Sequence, residues 1–284
     1  MKINRDWHIH TESSCDSACL KTEDLVIEAE QLGLYDYGIS DHVHTSVNFP
    51  DIVNSKKNYD NCIAKNPDLI GSFHFGVEVS CVSEWELDKI CKGNCTEEPI
   101  YGLRDGGPRN AKPAIAVDRE YIEKMGIEYV IGGVHWPLYC EVDKNSLIKD
   151  YHRQAMFLAE HKNVNIFAHY LWWNSYTYAG KKNPFADFGD IPASMKQELA
   201  IALKENNCAF EVNLQTMLLS PDLTDKFKHE YLEYVAEIQS KGVMLSIGSD
   251  CHKLHLTEVD FEISSQMIES VGIDLSKNMF TVSS

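Results

Sequence analysis

Short apolar segments that lead into a metal-competent side chain recur along this chain of 284 residues and constrain its fold more than any other feature. Gly242–Ile247 is typical of a buried strand, and Asp250 and His252 follow it directly. Residues i and i+2 of an extended chain project to the same side, so both side chains can reach one site. Other apolar segments lead in the same way to further candidate ligands: His8, His10, His42, Glu78, His135 and His169.

Helical patterns alternate with these segments. Residues 22–33 show the pattern well, because Thr22 suits an N-cap, acidic residues fill the first turn and Gly33 ends the apolar stripe. We predict strands at 5–9, 36–40, 72–77, 128–134, 164–168, 208–213 and 243–249, with helices between them. Seven strands alternating with helices favour parallel βαβ units closed into one α/β barrel domain over residues 1–284. Catalytic groups of such barrels gather at the carboxyl ends of the strands, where these candidate ligands fall.

Residues 80–116 interrupt this alternation. Their second half is rich in Gly and Pro, which indicates a loop, and it carries Arg104 and Arg109. A connection of this length is often a lid or a binding loop, although a decorative insertion is an equal alternative. The aromatic-rich stretch 170–188 is expected to lie beside the site, either in the core or on a recognition surface.

Charge and composition limit the partners of the chain. The net charge of −17 disfavours long nucleic acid, although bound cations would still allow a small anionic substrate. No apolar run is long enough to cross a membrane. The start of the sequence leads straight into the first histidine pair, and the nine cysteines fit thiols better than a disulfide framework. We therefore expect a cytoplasmic protein that acts on a small molecule.

The candidate ligands together describe a polynuclear metal site. The set contains six imidazoles and three carboxylates: His8, His10, Asp16, His42, Glu78, His135, His169, Asp250 and His252. At three to four protein ligands per ion, such a set suits two or three divalent ions with open positions. Mixed nitrogen and oxygen ligands with open positions are typical of hydrolytic centres rather than of closed structural zinc sites.

The motifs that carry these residues resemble the PHP (polymerase and histidinol phosphatase) superfamily. The resemblance rests on an ordered set of short motifs: His8-x-His10, Ser40-Asp41-His42, Gly76-Val-Glu78, Gly133-Val-His135, Ala168-His169, Glu211-Val-Asn213 and Gly248-Ser-Asp250-Cys-His252. It implies a distorted, TIM-like (β/α)7 barrel with a trinuclear metal centre. One implied metal site comprises His8, His10, Glu78 and Asp250. Glu78 bridges to a second with His135 and His169, and Asp16, His42 and His252 form a third. Asp16 stands where some members have histidine.

The same resemblance implies a metal-dependent phosphoesterase that hydrolyses a small phosphate monoester, such as a histidinol-phosphate-like metabolite, by a metal-bridging hydroxide. Zinc, manganese or iron would serve, with Glu78, Asp250 and His252 as the catalytic residues. Arg104, Arg109 and Asn213 are the candidate substrate-binding residues. Two alternatives remain open at this point: a nucleotide phosphodiesterase or nuclease of the same superfamily, and a noncatalytic metal-binding regulatory module. We expect Asp41 to support a neighbouring ligand and His44 to lie in a loop, where it could touch substrate.

Overall fold

The computed structural model describes residues 2–93, 100–104, 106–173, 183, 185, 187–253 and 257–282. Its main sheet has seven parallel strands that neighbour one another in sequence order, which confirms the predicted α/β architecture. The strands are β1 (Arg5–Asp6), β2 (Asp36–Val43), β3 (Phe73–Ser80), β4 (Tyr129–Gly133), β5 (Ile166–Phe167), β6 (Ala209–Asn213) and β7 (Leu245–Gly248). Because each strand lies within a predicted strand or overlaps one, the apolar segments were sufficient to locate all seven.

Hydrogen bonds beyond the strand ends bring β1 and β7 together and nearly close the barrel. Trp7 N donates to Ile247 O at 2.9 Å, and Asp250 N donates to His8 O at 2.7 Å. His10 N donates to Cys251 O at 2.9 Å. The first and last ligand pairs are therefore joined directly by backbone hydrogen bonds.

Helices flank the barrel at α1 (Thr22–Leu32), α2 (Phe49–Lys65), α3 (Glu84–Cys91), α4 (Arg119–Met125), α5 (Lys144–Glu160), α6 (Ala193–Glu205), α7 (Asp225–Ser240) and α8 (Glu258–Ser270). Several begin at side-chain caps, as at Asp143, which accepts hydrogen bonds from Asn145 N and Ser146 N before α5. Gly33 adopts the left-handed conformation (φ 72°) that ends α1, as its sequence predicts. No helix within the described residues is both long and apolar enough to span a membrane.

Large aromatic side chains pack at the end of the barrel opposite the candidate ligands. The Tyr129 hydroxyl lies 2.8 Å from Trp7 O and 2.9 Å from Ile39 O, and these two acceptors share its one hydrogen. Phe280 packs its ring against Trp7, with centroids 5.1 Å apart, and its N–H donates to Leu245 O at 2.7 Å. The C-terminal segment thus contributes to the barrel core, which the sequence did not predict.

The insertion at 80–116 has structure of its own. Val82–Ser83 pairs antiparallel with Pro113–Ala114, and α3 follows the first of these short strands. The buried Glu86 accepts a hydrogen bond from Leu103 N at 2.5 Å, and Asn48 Nδ2 donates to Ile100 O at 3.1 Å. The first contact joins residues 100–104 to α3 within the insertion, and the second joins them to the barrel.

Candidate metal centre

Glu78 lies at the centre of the ligand cluster, at the carboxyl end of β3, and is fully buried. Its Oε2 atom is 3.2 Å from His8 Nε2 and 3.4 Å from His10 Nε2. Asp250 faces the same two imidazoles, with Oδ1 at 3.6 Å from His8 Nε2 and 3.3 Å from His10 Nε2. Four side chains, which lie on β3 or just after β1 and β7, therefore surround one position.

The second carboxylate oxygen of Glu78 faces a different pair of histidines. Its Oε1 atom is 3.1 Å from His135 Nε2 and 2.8 Å from His169 Nε2. Both histidines follow barrel strands, β4 and β5 respectively, and both are more than nine-tenths buried. Glu78 thus presents one oxygen to each of two imidazole pairs, which is the arrangement of a bridging carboxylate.

A third group forms around Asp16 on the more exposed side of the cluster. Asp16 Oδ2 is 2.6 Å from His252 Nε2 and 3.4 Å from His42 Nε2. His42 also brings Nδ1 to 2.9 Å from Glu78 Oε2, which links this group to the centre. All nine side chains that the sequence singled out as ligands therefore converge at the predicted end of the barrel.

Groups behind the cluster orient its histidines. Glu211 Oε1 accepts from His8 Nδ1 at 2.5 Å, and the His252 ring donates from Nδ1 to Asp250 O at 2.9 Å. Ser80 Oγ lies 2.8 Å from His135 Nδ1. Each contact engages Nδ1 and leaves Nε2 facing the cluster, as is usual for histidines that bind metals.

Glu211 and Asn213, on β6, connect several of these ligands. Glu211 Oε2 accepts from His169 N at 2.8 Å and from Asn213 Nδ2 at 3.0 Å. The Asn213 amide also donates to Asp250 Oδ2 at 3.2 Å. Asn213 is fully buried behind the ligands and is not among the cavity-lining residues, so its contacts are those of a supporting group rather than a substrate-binding group.

Burial and opposing charges set the ionisation of the cluster in the absence of cations. Burial disfavours charge on Glu78, yet His8, His135 and His42 hold its pKa well below the usual value. Burial likewise opposes protonation of His42, but Glu78 and Asp16 raise its pKa to about 10. For His10, burial and the neighbouring imidazoles of His252 and His42 lower the pKa to about 3. The carboxylates are therefore anionic, and protons are shared unevenly among the histidines.

The donor set fits divalent cations. Three overlapping triplets place one ligand atom from each residue within 4.8 Å of the others: His8–His10–Glu78, His10–His42–His252 and His42–Glu78–His135. Glu78 Oε2 and Asp16 Oδ1 are buried and accept no well-aligned hydrogen bond from the described residues, although His42 Nδ1 lies 2.9 Å from Glu78 Oε2. Buried carboxylate oxygens normally have partners, so these atoms match positions that a cation satisfies.

Two glycines allow the ligands to approach the backbone. A Cβ atom at Gly133 would lie 2.5 Å from Glu78 Oε1 and within 2.8 Å of the His135 and His169 rings. At Gly248, a Cβ atom would collide with Glu211 and His8. Both positions belong to the motifs identified from the sequence, and a larger side chain at either one would displace ligands.

A cavity of about 1090 Å³ opens above the cluster. Asp16, His42, His135, His169, Asp250 and His252 line its floor. Trp136, Trp172 and Trp173 form an aromatic wall of the cavity. Tyr176 and Tyr178, from the aromatic-rich stretch 170–188, lie outside the described residues. The cavity is larger than a phosphate group and has room for an organic group beside it.

The two arginines of the insertion have different surroundings. Arg104 lines the cavity, and its guanidinium group lies over the rings of Tyr101 and Trp136 at 4.9 and 5.3 Å. The side chain of Arg109 is 74% exposed, pairs with Glu141 and is not among the cavity-lining residues. Of the two arginines proposed from the sequence, only Arg104 is placed to contact a ligand in this cavity.

The sequence did not indicate how closely several residues contact the ligands or the loops that carry them. Glu211 and Ser80 hold ligands from behind, and their positions at strand ends were the available signal. His44 lies in the loop just after β2, as expected, but it is only 3% exposed and is stacked on His42 with ring centroids 4.7 Å apart. Asp41 accepts hydrogen bonds from Thr11 N at 2.6 Å and from the Ser55 hydroxyl at 2.5 Å. The bond from Thr11 anchors the loop that follows His10.

Solved structures of phosphatases resemble this chain over almost its whole length. A histidinol phosphate phosphatase from Lactococcus lactis subsp. lactis, in complex with zinc, L-histidinol and phosphate, matches with a TM-score of 0.61 and 17% identity over 95% of this chain and 94% of that one. A protein from Listeria monocytogenes assigned as a histidinol phosphatase matches with a TM-score of 0.58 and 13% identity, over 96% and 98% of the two chains.

The chain has the fold of these phosphatases. This agrees with the distorted (β/α)7 barrel that the PHP resemblance implied. No protein-family model and no curated protein matched the sequence. The similarity to these phosphatases is therefore structural, and at such low sequence identity it shows a shared barrel fold alone.

Proposed function

We propose that this chain is a metal-dependent phosphomonoesterase that hydrolyses a small phosphorylated metabolite of the histidinol phosphate type. One observation carries the proposal: six imidazoles and two further carboxylates converge around Glu78 at the floor of the cavity. The zinc, L-histidinol and phosphate bound to the Lactococcus phosphatase support this choice of metal and substrate.

The proposed centre holds two or three divalent ions, of zinc, manganese or iron. The residues that would hold them are His8, His10, Glu78 and Asp250 in one site, Glu78, His135 and His169 in the second, and Asp16, His42 and His252 in the third. Such ions lower the pKa of bound water and neutralise the charge of a phosphoryl group.

The chain's own residues hold the reacting groups in place. Glu78 would join the first two sites through its two carboxylate oxygens, and Asp250 and His252 border the open side beneath the cavity. Arg104 would bind the phosphate with the planar, bidentate geometry of a guanidinium group. Water attacks phosphorus directly in this proposal, so no phosphorylated protein side chain forms.

Hydrolysis of a panel of phosphorylated metabolites by metal-reconstituted protein tests the activity. We expect phosphate release that a chelator abolishes, with a single oxygen-18 atom incorporated per phosphate from labelled water. Glu78→Gln should lower kcat/KM by more than the roughly 100-fold typical of changes behind the ligands. Glu198→Gln, which alters an exposed Glu–His pair with His152, is the matched control and should remain active.

Two results would contradict the proposal. One is a metal content below about one ion per chain after reconstitution. The other is the isolation of a covalent phosphoprotein intermediate during turnover, because the proposed chemistry uses no nucleophilic side chain.

A further inference from the structure

His44 and Trp136 each have a ring nitrogen without a hydrogen-bond partner among the described residues, and both side chains line the cavity. Both side chains are more than nine-tenths buried, and both line the cavity beside His135. His44 Nε2 and Trp136 Nε1 are shielded from solvent and have no hydrogen-bond partner among the described residues. The two rings lie 5.4 Å apart. Buried donors without acceptors are uncommon and costly, which points to an acceptor that arrives with a ligand.

A chain of hydrogen bonds through Ser80 determines which nitrogen of His44 carries the proton. Ser80 Oγ lies 2.8 Å from His135 Nδ1 and 2.6 Å from His44 Nδ1. If His135 binds metal through Nε2, its Nδ1 must carry a hydrogen and donate to Ser80 Oγ. The Ser80 hydroxyl then has one hydrogen to donate, and within the described part of the chain its remaining hydrogen-bond partner is His44 Nδ1.

His44 Nδ1 is therefore the acceptor, and Nε2 carries the hydrogen. The metal ligand His135 thus dictates, through Ser80, the tautomer of a second imidazole that does not itself bind metal. This assignment makes Nε2 of His44 a neutral hydrogen-bond donor rather than a base.

The surroundings of this donor favour an anionic oxygen as its acceptor. Arg104, whose guanidinium group lies 5.3 Å from the Trp136 ring, adds a positive charge on the same side of the cavity. His42 and His135, whose rings both contact the His44 ring, belong to the proposed centre. A phosphoryl oxygen is the acceptor that a substrate of the proposed enzyme would bring to this position.

We propose that His44 donates a hydrogen bond from Nε2 to a phosphoryl oxygen of the substrate, that Trp136 Nε1 donates beside it, and that Ser80 fixes the required tautomer. The inference rests on the proposed phosphatase function, and it adds two neutral donors to the charged groups that bind phosphate. Ser80 is a positioning residue, since it acts through His44.

Binding of inorganic phosphate to the zinc-loaded protein, measured by calorimetry, tests the two donors. His44→Phe keeps a ring on His42 but removes the donor, whereas His44→Gln retains an amide N–H near the position of Nε2. We expect His44→Phe to weaken phosphate binding by about 10- to 100-fold at unchanged zinc content, and His44→Gln by only a few-fold. Trp136→Phe, which also keeps a ring, should weaken it by about 10-fold. Equal affinity of wild type and both phenylalanine variants would overturn the proposal.

Nitrogen NMR of histidine-labelled, zinc-loaded wild-type protein tests the tautomer without relying on activity. We expect His44, identified by the signal missing from His44→Phe, to show a protonated Nε2 and an unprotonated Nδ1. The opposite tautomer would overturn the assignment. If the wild-type protein binds zinc but not phosphate, the proposed function itself is wrong, and so is the ligand assigned to His44.

Discussion

Glu211→Gln offers the sharpest test of how the ligands are held. The Glu211 carboxylate accepts three hydrogen bonds, from His8 Nδ1 through Oε1 and from His169 N and Asn213 Nδ2 through Oε2. Glutamine has almost the same shape but only one acceptor oxygen. If that oxygen faces His8, the amide NH₂ group meets two N–H donors on the other side.

The size of the effect follows from these contacts. Turning the amide either way leaves at least one buried donor facing another donor, and hydrogen bonds to a charged group contribute about 1.5–3 kcal/mol each. His8 and His169 belong to two different proposed metal sites, so both should be affected. We expect zinc affinity to fall by about 10- to 100-fold, which corresponds to about 1.4–2.8 kcal/mol.

Competition with a chelator of known affinity measures the loss in zinc binding. Glu198→Gln is the control, because it changes a Glu–His pair at the protein surface and touches none of the ligands. Circular dichroism should show both variants folded. If Glu211→Gln binds zinc as tightly as the wild type, Glu211 does not support the ligands and the reasoning is wrong.

Two further predictions concern the arginines and the opposite end of the barrel. Arg104→Ala should raise KM by about 10-fold or more, whereas the exposed Arg109→Ala should leave both kinetic constants unchanged; equal effects would refute the difference drawn between them. His74 is buried between Asp36 and Glu128, and although burial opposes its protonation, these carboxylates raise its pKa to about 9. Its contribution to stability is therefore full below pH ~6.5 and is lost as the pH rises towards 9. His74→Gln should reduce the free energy of unfolding in urea at pH ~6 by roughly 2 kcal/mol, with a much smaller difference at pH ~9.5, while the exposed His229→Gln should change neither.

The fold could be predicted from the sequence because its strands are short, apolar and evenly spaced by helices. β2 and β3 are buried over almost their whole length, and apolar residues such as Tyr37, Ile39, Phe75 and Val77 were sufficient to locate them. The π-helical turn at Leu214–Leu218 and the pairing of the C-terminal segment with Leu245 could not be predicted in this way. Both depend on contacts between distant residues rather than on a local pattern.

The ligands could be predicted because the chemistry restricts them to a few residue types at strand ends. The contacts of Ser80 and Glu211 with the ligands were not predicted, because a position near a strand end does not show which ligand a serine or glutamate will contact. The i and i+2 argument for Asp250 and His252 also assumed an extended chain, whereas Asp250 has a positive φ of 60°. The hydrogen bond from Asp250 N to His8 O stabilises this left-handed backbone conformation, and such backbone strain is common at functional sites.

Proton occupancy links the ionisation of the cluster to its affinity for metals. Burial disfavours a charged His8, but Glu211, Asp250 and Glu78 raise its pKa well above the usual value, so in the metal-free protein it carries a proton that a cation must displace. His135 differs, since burial lowers its pKa to about 4 and it is already neutral near pH ~7. Metal binding therefore releases protons at His8 but few at His135, and apparent affinity rises with pH at the site that contains His8. Glu78 and Asp250, two of the carboxylates that would hold the cations, thus also keep His8 protonated when cations are absent.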